Sequence, residues 1–133
     1  MKQAWMIWAS VLLAPPGLAG MVDDTAAVRQ VASDYATGWQ TADAAKVAGT
    51  VHAQTVQRKL RAGSLQSADA TALTAAVAGN KSASNAATDI AVLDVYHNVA
   101  FASVRGTRGT EYLQLGRVAG QWKIINILQG AQP

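Results

Sequence analysis

Residues 89–128 read DIAVLDVYHNVAFASVRGTRGTEYLQLGRVAGQWKIINIL. Four runs within this stretch, DIAVLDVY, VAFASVR, EYLQLGRV and WKIINIL, are rich in β-branched and aromatic residues and alternate with period two. His97-Asn98, the GTRG of Gly106 to Gly109, and Ala119-Gly120 separate them, and each suits a tight reversal. The pattern predicts four strands in an antiparallel meander. GTRG also spells the clamp of a KH domain, but that clamp joins two helices, whereas here it joins two strands. Strict alternation puts Asp94 on the face of Ile90, Val92 and Tyr96, and Asn126 on the face of Trp122, Ile124 and Leu128. A carboxylate in such company sits at an edge, is paired, or lines a pocket. An amide there needs a backbone or ligand partner.

Upstream, the period changes. SADATALTAAVAGN, residues 67–80, predicts a helix with Ser67 or Asp69 as its cap and Leu73 and Val77 on one face. Residues 81–87 read as a surface loop. From Gln54 to Leu60 a half-buried strand is expected, with Val56 and Leu60 on one side and Thr55, Gln57 and Lys59 on the other. Asp43 is placed to cap a short helix from Ala44 to about Gly49, and the preceding helix ends around Gly38 and QTAD. In that first helix Val28, Val31, Tyr35 and Trp39 form one apolar stripe, with Asp23, Asp24 and Thr25 read as its N-terminal cap and first turn. Three helices before an antiparallel sheet define an α+β domain with the helices packed on one face.

The chain has 133 residues, one domain's worth, and a formal charge of +3. That mild excess has no long basic block, only Arg58 to Arg61, so nucleic-acid binding is not expected. The absence of cysteine excludes disulfides, thiolate metal sites, a thiol nucleophile and a lipoprotein anchor. His52 and His97 lack metal-ligand spacing, and no metal or other cofactor is expected. His97 reads as a turn residue. Residues 1–20 have a lysine, an apolar run from Ala4 to Ala14, a Pro-Pro-Gly break and small residues at Gly17, Ala19 and Gly20. That order predicts a secretory leader cleaved after Ala19 or Gly20, hence an exported domain over residues 21–133. The apolar run is too short to span a bilayer.

VRQVASDYATGWQTADAAKVAGTVH, then DIAVLDVYHNVAFASV, EYLQL and GQWKIINIL, resembles the putative lumazine-binding family of the nuclear transport factor 2-like superfamily, which includes SnoaL-like cyclases and ketosteroid isomerase. The resemblance implies a cone, with a strongly curved sheet wrapped around the helices, a pocket at the open end, and frequent dimerisation through the sheet. It also permits a comparison with the isomerase. Tyr35, eight residues before Asp43, falls where the isomerase has its oxyanion-stabilising phenol. The isomerase's carboxylate base follows a Thr-Val pair on the first strand. Here Thr55 and Val56 are followed by Gln57, Arg58 and Lys59, so the base is missing. Counting back from Gly120, the isomerase's neutral acid falls near Tyr112.

A binding site without a catalytic set is therefore expected, lined by Tyr35, Trp39, His52, Val56, Tyr112 and Asn126 and suited to a small, partly apolar molecule held by a few hydrogen bonds. Two alternatives remain open. One is an isomerase-like or cyclase-like enzyme using Tyr35 with His52 or Asp94 as base. The other is a structural or interaction module, a homodimer formed through the outer face of the sheet.

Overall fold

A computed structural model describes residues 16–81, 84 and 86–131. Most of the expected leader lies outside the described residues. The elements run α1 (Pro16–Gln40), α2 (Ala44–Thr50), β1 (Val51–Arg61), β2 (Ser64–Asp69), α3 (Ala70–Ala78), β3 (Asp89–Tyr96), β4 (Val99–Gly106), β5 (Gly109–Val118) and β6 (Gln121–Gly130). The α+β class and the three helices are as expected. Strand β2 was not, and the helix expected from residue 67 begins only after Asp69, whose side chain accepts from the Ala72 N–H. The β1–β2 turn is Ala62-Gly63, with φ of 49° and 75°, the same dipeptide and the same left-handed pair as Ala119-Gly120.

The six strands are ordered β2-β1-β6-β5-β4-β3. β3 to β6 form the expected meander, but β6 then returns parallel to β1, so the sheet is mixed. It is also open, with β2 and β3 as edges, and not the strongly curled layer expected for a cone. Among the described residues no helix is long and apolar enough to cross a membrane.

Helix α1 buries Val28, Ala32, Tyr35, Ala36 and Trp39 against the sheet, with Val31 at the margin of the stripe. Facing it from the strands are Ala100, Ala102, Val104, Leu113, Leu115, Ile124 and Ile127. Asp24 is not a cap, because α1 starts upstream of it; it pairs instead with Arg117 and accepts from Trp122 Nε1 at 3.4 Å. That contact ties α1 to the β5–β6 end of the sheet. Asp43 caps α2 through the Lys46 N–H at 2.9 Å, as expected.

Three irregularities change which side chains face the helices. The β3–β4 register slips between Val92 and Asp94, so Ile90, Val92 and Val95 pack on the core while Asp94 and Tyr96 turn outward. The β5–β6 register slips between Ile124 and Asn126, so Trp122 and Ile124 face inward but Asn126 and Leu128 do not. A further slip lies in β1 between Val51 and Val56. Beyond it the polar residues Thr55 and Gln57 are buried, whereas Leu60 is exposed, the reverse of the orientation expected for this strand.

Gly38 sits where α1 and α2 meet. A Cβ there would lie 2.6 Å from Val47 Cγ2 and 3.2 Å from the Asp43 carbonyl. Overpacking of this kind costs about 1–3 kcal/mol, more than the roughly 0.5–1 kcal/mol that alanine gains over glycine within a helix. Gly38→Ala is therefore expected to lower the thermal midpoint by several degrees, measured by circular dichroism; an unchanged or raised midpoint would show that α2 can withdraw freely.

Candidate functional site

The site is centred on a buried carboxylate. Glu111 lies on the inner face of β5 with 3% of its surface exposed. Its Oε1 accepts from the Tyr35 hydroxyl at 3.0 Å, from Gln57 Nε2 at 3.2 Å and from Arg108 Nη2 at 3.2 Å. Those donors come from α1, β1 and the β4–β5 turn. Placing a charge so deep is costly unless it is paired and hydrogen-bonded, and here both conditions are met. The Arg108 guanidinium also lies 3.5 Å from the centroid of the Trp39 ring, in a cation–π arrangement, and its carbonyl accepts from Gln129 Nε2 at 2.8 Å.

A cavity of about 380 Å³ opens beside this cluster, between the C-terminal end of α1, the loop before β3 and the β4–β5 turn. Trp39, Gln40, Thr88, Val104, Arg108 and Glu111 are among its walls. Gln40 Nε2 donates to Thr88 Oγ1 and to the Ala86 carbonyl, both at 2.6 Å, and Asn80 Nδ2 donates to the Trp39 carbonyl at 2.9 Å. These bonds fix the loop side of the cavity to α1. Among the described residues two deeply buried polar atoms, Trp39 Nε1 and Gln129 Oε1, make no hydrogen bond.

The expected site residues separate into two groups. Tyr35 and Trp39 belong to the cluster, Tyr35 wholly buried on Glu111 and Trp39 in the cavity wall. Tyr112 and Asn126 face the other way, with Arg58, Phe101, Gln114 and Leu128, around a second cavity of about 400 Å³ on the outer side of the sheet. Val56 pairs in register with Asn126 and is off the buried row of β1. His52 lines neither cavity; its Nδ1 accepts from the Gln54 N–H at 3.1 Å at the start of β1. Asp94 is exposed. The six residues therefore do not form one wall.

The comparison with the isomerase needs one correction. The acid that meets Tyr35 is Glu111, one position before Tyr112, because odd-numbered residues of β5 point to the helices. The place of the missing base is filled by Gln57, which donates to that same carboxylate. Arg108 was read only as a turn residue. The sequence signals that could have found these groups were the glycines bracketing Arg108 and its i, i+3 spacing to Glu111. Among the described residues no cluster of potential metal ligands occurs.

Burial drives the Tyr35 phenol well above its ordinary value of 10.0, and the adjacent Glu111 charge pushes it further. Arg108 acts in the opposite sense. Lys59, inward-facing at the end of β1, is lowered by burial first and then by Arg108, against the attraction of Glu111. For Tyr35 the unfolded chain releases its proton near pH 10.0 while the native phenol keeps it. Its contribution to stability is thus complete below that pH and is lost as pH rises towards the native value. An alkaline titration followed by tyrosinate absorbance is expected to show a tyrosine that ionises only as the protein unfolds, and Tyr35→Phe removes that component.

Residues 23–128 match the sequence profile of the family described as "Putative lumazine-binding". No curated protein sequence matches the chain. Solved structures do. An NTF2-like protein of unknown function from Shewanella baltica superposes with a TM-score of 0.75 at 20% identity, over 84% of this chain and 96% of that one. One from Methylobacillus flagellatus gives 0.74 at 18% identity over 93% and 98%. A ketosteroid isomerase-like protein from Erwinia carotovora atroseptica gives 0.64 at 16% identity over 84% and 98%. The sheet order, the helical layer on one face of it and the profile match over most of the sequence agree: the chain belongs to the putative lumazine-binding family and has the NTF2-like fold.

Proposed function

We propose that the chain is an exported small-ligand-binding domain whose ligand occupies the cavity between the end of α1 and the β4–β5 turn. The observation that carries this reading is the cavity itself, about 380 Å³, walled by Trp39, Gln40, Thr88 and Val104 beside a Tyr35–Glu111–Arg108 cluster already held in place. A preformed, partly apolar hollow with a few fixed polar groups suits a flat heterocycle, and the family description points to lumazine as the first compound to try. Export rests on the composition of residues 1–20.

Binding is favoured over isomerisation because the side chain in the place of the base is Gln57, an amide that cannot accept a substrate proton at neutral pH and is already bonded to Glu111. His52 and Asp94, the alternative bases, share no cavity with Tyr35.

A second reading, compatible with the first, concerns the outer face of the sheet. Phe101, Tyr112 and Leu128 are 44%, 45% and 45% exposed there, and Leu60 and Leu65 continue the apolar surface across β1 and β2. Apolar residues grouped in this way favour a second copy of the chain as cover.

Titration with lumazine is expected to quench tryptophan fluorescence saturably, and Trp39→Ala to weaken binding about ten-fold. No saturable change, or equal affinity in the variant, would refute the cavity as the site. For the outer face, light scattering after size-exclusion chromatography is expected to give a dimer mass, reduced to the monomer by Tyr112→Lys. A wild-type monomer at high concentration would refute self-association.

A further inference from the structure

Hydrogen bonding at the Glu111 carboxylate is one-sided. The Tyr35 hydroxyl, Gln57 Nε2 and Arg108 Nη2 all donate to Oε1, at 3.0, 3.2 and 3.2 Å. Among the described residues Oε2 accepts from no donor. Nor is it sealed in the core: the deeply buried side-chain atoms without a partner are Trp39 Nε1 and Gln129 Oε1, and Oε2 is not one of them. Glu111 is part of the cavity wall, so this second oxygen opens on the hollow. An ionised carboxylate oxygen only accepts. Water meets that demand in an empty cavity, and a ligand that displaces the water must bring a donor of its own or forfeit the hydrogen bond. Beside it, Arg108 spends one terminal nitrogen on Oε1, and among the described residues its Nη1 and Nε donate to nothing. The same guanidinium lies 3.5 Å from the centroid of the Trp39 ring and lines the cavity.

We propose that the cavity selects a neutral heterocycle with an N–H next to a carbonyl, a lactam or imide edge, its N–H donating to Glu111 Oε2 and its carbonyl accepting from Arg108. The inference deepens the ligand-binding reading above and rests on it. Glu111 and Arg108 present an acceptor and a donor side by side, already bonded to one another at 3.2 Å, and a lactam edge carries the complementary pair on adjacent atoms. A cationic ligand fits less well, because Arg108 already matches the Glu111 charge and a second cation would stand against the guanidinium. An acid fits less well too, because it would set its own charge against an oxygen that has no proton to share. The three donors on Oε1 fix the carboxylate before any ligand arrives, so little ordering remains to be done on binding. Ala36, Val104 and the Trp39 ring offer apolar wall for the flat remainder.

The test compares two flat bicyclic probes of the same shape, 2-quinolone and coumarin, titrated against the full chain by isothermal calorimetry. Both carry the carbonyl, and the ring N–H of the first is replaced by a ring oxygen in the second. 2-Quinolone is expected to bind at least about ten-fold more tightly. In Glu111→Gln, where an amide NH2 takes the place of Oε2, that preference is expected to vanish. In Arg108→Met both probes are expected to weaken alike, since each keeps its carbonyl. Thermal melts verify that the variants fold, and if Glu111→Gln does not, the comparison in the wild-type chain decides by itself. Equal affinity for the two probes, tighter binding of coumarin, or a preference that survives Glu111→Gln overturns the donor-reading site while leaving the ligand-binding reading in place. Unchanged affinities in Arg108→Met overturn the carbonyl contact. Failure of both probes to bind overturns this inference and the ligand-binding reading together.

Discussion

One carboxylate oxygen organises the inner side of this protein. Glu111 Oε1 receives a phenol from α1, an amide from β1 and a guanidinium from the β4–β5 turn. A buried charge of this kind is tolerated only while its donors stay in place, so the cost of burying it becomes a constraint on how three elements sit. Tyr35 cannot move away from the sheet without leaving Glu111 short of a donor, and Arg108 cannot swing outward without doing the same. The cavity keeps its shape because its polar wall is held from several directions.

That constraint explains the division of the inner face into an apolar end and a polar end. Where α1 lies on Ala100, Leu113, Leu115 and Ile124, small and branched side chains fill the space. Where Gln57, Gln129 and Glu111 face inward, polar groups must be satisfied one by one, and beside Glu111 and Arg108 close packing gives way to a cavity of about 380 Å³. Two atoms there stay unsatisfied, the Trp39 indole nitrogen and the Gln129 carbonyl oxygen. The opposite face carries Phe101, Tyr112 and Leu128 in the open.

Much of the fold was legible along the chain. The α1 stripe, the Asp43 cap and the hairpins at His97-Asn98, Arg108 and Ala119-Gly120 all stand as read, because each is decided by neighbours a few residues away. Strand β2 was missed because SADAT carries a helix cap and alanines, although the Ala62-Gly63 turn before it matched one that had been recognised. In the candidate site, the pairing of Tyr35 and Trp39 on one face of α1 was legible from their four-residue spacing. Tyr112 and Asn126 were placed on the wrong side of the sheet, and Glu111, Gln57 and Arg108 were passed over.

Apart from β2, the sequence by itself determined the elements, their order and the α+β class, since helical and strand periodicity, caps and turn residues act locally. Only the tertiary structure decided which face of each strand meets the helices. A single slipped residue, at Leu93 or at Ile125, reverses every side chain beyond it, and a polar row can be the buried one when an acid on the next strands needs its donors. Facing is a property of the assembled sheet. For that reason the carboxylate that holds the site became visible only when β1, β5 and α1 were brought together.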